Sequence, residues 1–136
     1  MKPLFVDTSA LIALGNGRDQ FHAQAVMLFK AYSAEKRRFV TINAILLEMT
    51  NAFSAAPYKP LAIRLFELIE TSPAWAVVMI DRGLMARGWA KFEQMADKDW
   101  SLVDCISMIV AQDAGMTEIF TNDHHFQQAG LIITLK

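Results

Sequence analysis

Four carboxylates in this sequence stand where solvation alone does not explain an acid. Asp7 directly follows the apolar run Leu4-Phe5-Val6. Glu48 lies in Ile45-Leu46-Leu47-Glu48-Met49, and a helical wheel sets it beside Ala44, Ile45 and Ala52, at the edge of an apolar face. Asp104 lies in Leu102-Val103-Asp104-Cys105-Ile106, on a segment that is apolar nearly all round, the pattern of a buried helix. Asp123 follows the run Glu118-Ile119-Phe120-Thr121 by one residue beyond Asn122. Acids on apolar faces are rarely left without a partner or a metal. Two unit charges about 4 Å apart repel by about 4 kcal/mol at an effective dielectric near 20. Acids gathered in one cleft therefore need protonation, basic partners or a divalent cation. A ring of oxygen ligands suits Mg²⁺ or Mn²⁺, and such an ion stabilises phosphoryl-oxygen charge and activates a water for in-line attack.

Each acid also has a plainer role open to it. Asp7, with Thr8 and Ser9, can start a helix. Asp104 follows Ser101 by three, which fits a variant of the capping box. Asn122 or Asp123 can cap a short helix through Phe126, and Glu48 can be an edge residue that reaches water. The catalytic reading rests on all four meeting in one cleft.

The elements that must position them alternate. Short apolar runs at Leu4–Val6, Phe39–Ile42, Val77–Ile80, Glu118–Thr121 and Leu131–Thr134 lack strict polar alternation, as buried parallel strands do. Between them, helical spacing covers Ser9–Leu14, Phe21–Tyr32, Ala44–Ala55, Leu61–Thr71, Leu84–Ala96 and Leu102–Ala114. In Leu84–Ala96 the apolar face is Met85, Trp89, Phe92 and Ala96. Strands alternating with helices predict an α/β domain with a mainly parallel sheet. Its site belongs outside the carboxyl ends of the strands, at a switch point.

Composition sets the bounds. At 136 residues the chain reads as one domain, 1–136, and 54% hydrophobic residues with 20% charged exclude disorder. The single cysteine, Cys105, cannot form an internal disulfide, which fits a reducing compartment. One Cys and three His exclude zinc-finger chemistry. Asp7 interrupts the apolar stretch Pro3–Leu14, against a signal peptide, and no charge-free run reaches the length of a membrane span. The expected location is cytoplasmic. A net charge of -1 does not advertise nucleic-acid binding, but charge can be segregated by face. Lys36-Arg37-Arg38 and the group Arg82, Arg87 and Lys91 are candidate phosphate contacts, or solvated surface.

Asp7-Thr8-Ser9 after the first strand, Glu48 in the helix after the second, Ser101-Leu102-Val103-Asp104, and Thr121-Asn122-Asp123-His124-His125-Phe126 occur in that order. Together they resemble the PIN-domain nucleases, particularly the VapC-type toxins of bacterial toxin–antitoxin pairs. The resemblance implies a three-layer fold, with a five-stranded, mainly parallel sheet flanked by helices. It implies a Mg²⁺- or Mn²⁺-dependent ribonuclease whose ligands match Asp7, Glu48, Asp104 and Asp123, with Thr8 as the hydroxyl beside the first acid. Asp99 is a possible fifth acid. No histidine is required, and His124 and His125 read as surface or capping residues or as substrate-phosphate contacts. Leu61, Ile63, Leu65, Phe66, Leu68 and Ile69 span more than one buried stripe needs. They mark either a helix sandwiched in the core or an exposed patch for a homodimer or an antitoxin segment, and the resemblance favours the patch. Two rivals remain. A receiver-like phospho-acceptor switch would use Asp81 after the third strand, and a non-catalytic RNA-binding protein would keep the fold alone.

Overall fold

A computed structural model describes all residues 1–136. β1 (Leu4–Val6) leads to α1 (Thr8–Gly15) and α2 (His22–Ala34). β2 (Phe39–Ile42) leads to α3 (Asn43–Ala52) and α4 (Lys59–Thr71). β3 (Trp75–Val78) leads to α5 (Arg82–Gln94) and α6 (Leu102–Asp113). β4 (Glu118–Phe120), α7 (His124–Gln128) and β5 (Ile132–Ile133) complete the chain. The sheet order is β3-β2-β1-β4-β5 and every pairing is parallel. The order reverses between β1 and β4, so the switch point opens at the carboxyl ends of those two strands.

Successive residues of a strand face opposite sides, and the two sides of β2 meet different helices. Phe39 packs on Phe29 and Tyr32 of α2, at ring-centroid distances of 5.3 and 6.4 Å. Val40 faces Leu84 of α5 and Val110 of α6 across a shallow groove. The result is three layers, with β1 and α6 at the centre: Leu4, Phe5, Val6 and the whole run Cys105–Ala111 are buried.

Two sequence expectations shift. The third strand starts at Trp75 rather than Val77, because the Trp75 ring stacks on Phe39 at 4.8 Å and its register partner is that residue. Met79 and Ile80 leave the sheet, and the Ile80 N–H donates to Asn43 Oδ1 at 3.0 Å. The face Met85, Trp89 and Phe92 of α5 is not its core face. All three are exposed, while Gly88 is buried against α6. A Cβ at Gly88 would clash with Ile106 Cγ1, so only glycine lets the two helices approach this closely. Gly88→Ala is expected to destabilise the chain by about 1–3 kcal/mol from overpacking, against a gain in helix propensity of about 1 kcal/mol. The midpoint of urea unfolding should fall, and an unchanged or raised midpoint would show that Ile106 moves aside freely.

Candidate active site

β1 ends at the switch point and delivers Asp7 there. The Asp7 N–H donates to Phe120 O of β4 at 3.1 Å, which locks the residue to the neighbouring strand. Asp7 occupies the N-cap position of α1, yet its carboxylate makes no capping bond. Oδ2 instead accepts from Thr121 Oγ1 at 2.7 Å and from Ser9 Oγ at 3.2 Å. Only 7% of the residue is exposed. Burial pushes its carboxyl up to about 6. The Thr121 and Thr8 hydrogen bonds pull it back, and the nearby charges of Asp104 and Asp123 add a smaller upward push. Desolvation, more than repulsion within an acidic cluster, is therefore what raises it.

The other three acids come from separate elements. Glu48 on α3 accepts from Thr8 Oγ1 at 2.5 Å, so the hydroxyl beside the first acid orients the second. Asp104 near the start of α6 realises its capping role: Ser101 and Asp104 form a reciprocal capping box. Its Oδ2 accepts from Ser101 N at 3.1 Å and meets His125 Nδ1 at 3.1 Å, and Oδ1 has no protein partner. Asp123 caps α7, with Oδ1 accepting from His125 N at 2.9 Å. The capping and cleft positions coexist, because Asp7, Glu48, Asp104 and Asp123 all line one cleft of about 640 Å³, with Thr8, Ser9 and Asn51. No Lys or Arg is in that lining.

His125 is the residue that sequence reasoning undervalued. It is no surface residue: its side chain is 21% exposed and its Nδ1 lies between Asp104 Oδ2 and Asp123 Oδ1, at 3.1 and 3.3 Å. The available signal was its place two residues after an N-capping acid, which turns its ring back over that cap. Thr121 and Ser9 were missed too. Thr121 is a fully buried hydroxyl at the end of β4 that donates to Asp7 and accepts from Asp123 N at 3.0 Å. Ser9 Oγ accepts from Asn122 N at 3.1 Å, which accounts for Asn122 through its backbone.

Two further acids stay outside the cleft. Asp81 is an exposed N-cap of α5, accepting from Leu84 N at 2.8 Å. That position removes the geometry a receiver-like switch would need. Asp99 is exposed and does not line the cleft. Lys36, Arg37 and Arg38 precede β2, at the opposite end of the sheet from the cleft. Arg37 there pairs with Glu118 at 2.9 Å. On α5, Arg87 donates to both Asp113 oxygens through Nη1 and Nη2, at 2.6 and 2.9 Å, and Lys91 lies over the Trp100 ring.

An all-parallel α/β domain with four carboxylates converging at its switch point is an architecture suited to holding a divalent cation. The chain belongs to the PIN domain family, whose model matches residues 4–131. Among solved structures it is similar to VapC20 of Mycobacterium tuberculosis, described as a toxin that cleaves the sarcin–ricin loop. The TM-score is 0.82 and the identity 26%, over 95% of this chain and 96% of that one. It also shares the fold of the DNA-bound VapBC complex of Salmonella typhimurium, with a TM-score of 0.68 and 14% identity over 98% of each chain. FitAcB of Neisseria gonorrhoeae matches with a TM-score of 0.65 and 14% identity, over 96% of this chain and 95% of that one. No curated protein matches the sequence. No helix is long and apolar enough to cross a membrane.

Proposed function

We propose that this chain is a divalent-metal-dependent endoribonuclease and the toxin component of a type II toxin–antitoxin module. The observation that carries the reading is a cleft lined by four carboxylates from separate parts of the chain and by no basic side chain. An all-oxygen donor set without a neutralising Lys or Arg fits a hard cation, Mg²⁺ or Mn²⁺. Asp7, Glu48, Asp104 and Asp123 would hold it. Such an ion, when bound, lowers the pKa of a coordinated water and stabilises charge on phosphoryl oxygens.

The chain's own groups supply orientation. Thr121 and Ser9 fix Oδ2 of Asp7. Thr8 fixes Glu48. The Ser101 N–H and His125 fix Oδ2 of Asp104, while its Oδ1 makes no bond within the protein. With water rather than the ribose 2′-hydroxyl attacking phosphorus and the 3′-oxygen leaving, the products carry a 5′-phosphate and a 3′-hydroxyl. Single-stranded or looped RNA suits an open cleft, since its backbone is free of a paired strand. The likeness to a sarcin–ricin-loop-cleaving toxin supports RNA as the substrate class. Labelled RNA should be cut in Mn²⁺, left intact in EDTA and cut again when Mn²⁺ is restored. Cleavage that survives chelation would defeat the mechanism, and binding without cleavage in Mn²⁺ would favour a non-catalytic RNA-binding protein.

A protein partner fits the apolar surface of α3 and α4. On α4 only Ala62 and Ile69 are buried, whereas Ile63, Phe66 and Leu68 are exposed. A cavity of about 240 Å³ opens between the helices, lined by Phe53, Ala62, Ile63 and Phe66 with Lys59 and Glu67. An apolar helix face of the antitoxin would fill it. The exposed Met85, Trp89 and Phe92 of α5 offer a separate face for a homodimer. Phe66→Glu should leave the fold intact and reduce copurification with the product of the adjacent gene by about ten-fold or more, as loss of a buried aromatic anchor does. Undiminished copurification would move the partner elsewhere.

A further inference from the structure

We propose that Asp123, His124 and His125 form a binding site for a borderline cation of the Zn²⁺ type, and that filling it switches the acidic cleft off. The three side chains offer one carboxylate oxygen and two imidazole nitrogens, with ligand atoms all within 4.8 Å of one another. His125 Nδ1 lies 3.3 Å from Asp123 Oδ1, and His124 Nδ1 lies 4.0 Å from the same oxygen. Zinc bonds of about 2.0–2.1 Å in a tetrahedron set their ligands about 3.3 Å apart. One edge is therefore already in place and a second closes by a small ring movement. His124 is free to make it: its side chain is 70% exposed and it makes no hydrogen bond. The fourth position is left for water, as in sites with three protein ligands.

The chemistry of this trio differs from that of the cleft. Mixed nitrogen and oxygen ligands favour Zn²⁺, Ni²⁺ or Cu²⁺, whereas the carboxylate cleft favours Mg²⁺ or Mn²⁺. The two sites share Asp123, and His125 also touches Asp104 Oδ2. Zn²⁺ held by Asp123 Oδ1 and His125 neutralises one acid of the cleft, sets a second dication beside the others, and takes the imidazole off Asp104 Oδ2. Occupation is therefore inhibitory. That half of the inference rests on the nuclease reading; the binding half does not.

The experiment uses untagged chain, titrated with Zn²⁺ by calorimetry in Mn²⁺-free buffer, for wild type and His124→Ala. Wild type should bind one Zn²⁺, and His124→Ala should bind it at least about ten-fold more weakly, since even an outer-shell partner of a ligand is worth 10–100-fold. Imidazole NMR signals of His124 and His125 should shift, while those of His22, whose Nδ1 is held by Ala13 O at 2.7 Å, should not. In Mn²⁺, His124→Ala should cut RNA at the wild-type rate and resist Zn²⁺ that inhibits wild type. Equal Zn²⁺ affinity in the two proteins would overturn the proposal by sending the ion to the carboxylates alone. Absence of Zn²⁺ uptake by wild type would overturn it outright. Because binding is read by heat and NMR, failure of the nuclease reading would appear separately, as RNA left intact in Mn²⁺ alone.

Discussion

Asp7→Asn should abolish RNA cleavage and raise the melting temperature of the metal-free chain at pH 7. The two effects have one cause. Asp7 is buried, and burial lifts its carboxyl to about 6, above the value near 4 of an unfolded chain. A raised folded value means that the native state favours the protonated form. The contribution to stability is complete below about pH 4, half gone near pH 5, and lost once the pH passes 6. At pH 7 the native chain therefore carries a cost of about 2–3 kcal/mol for ionising Asp7. Asparagine removes that cost and keeps an oxygen to accept from Thr121. The gain corresponds to about 5–10 °C in a domain of this size. Cleavage should fall by more than about 100-fold, because even an outer-shell partner of a metal ligand is worth 10–100-fold. Calorimetric melts at pH 4.5 and 7, read as the difference between wild type and variant, cancel the titration of groups that do not interact with Asp7. A variant that melts lower at pH 7 would mean that Asp7 stabilises the native chain as an ion, and one that still cuts RNA would remove Asp7 from catalysis. Asp104 is a poorer site for this test. Its Oδ2 caps α6 and meets His125, so loss of the carboxylate mixes a damaged cap with relief of charge.

What the sequence made legible follows the physics of each feature. A run such as Leu4-Phe5-Val6 ending in Asp7 is legible because a charge inside a buried strand is costly, so the charge marks the strand's end. The buried helix around Asp104 is legible because it is apolar nearly all round. Three things escaped besides the hydroxyls of Thr121 and Ser9. The start of β3 depends on Trp75 stacking on Phe39, a contact between strands that no local window contains. The face of α5 was misread because periodicity finds an apolar stripe but not what covers it, and here the packing residue is a glycine. His125 was undervalued because its role comes from Asp104, on another helix. Capping and catalysis also looked like competing explanations for Asp104 and Asp123. A carboxylate has two oxygens, and Asp104 uses only one of them within the protein.

Divalent metal should return the stability that ionised Asp7 removes. An ion that binds only the native chain stabilises it by about 2.7 kcal/mol at one hundred times its dissociation constant. That is comparable to the cost of ionising Asp7 at pH 7, so Mn²⁺ and Asp7→Asn should give similar rises in melting temperature, and the two together should give little more than either. The pH dependence gives the sharper discrimination. Metal binding needs Asp7 as the anion, and with its carboxyl near 6 most of the chain holds the proton at pH 5. Mn²⁺ affinity should be about ten-fold weaker at pH 5 than at pH 7. In Asp7→Asn the part of that difference that Asp7 contributes should vanish, since its carboxyl is gone. Melts with and without Mn²⁺ at the two pH values, on both proteins, separate the alternatives. If Mn²⁺ raises the melting temperature equally in wild type and variant, the ion is held without Asp7, and the four-carboxylate site gives way to one built on Glu48, Asp104 and Asp123 alone.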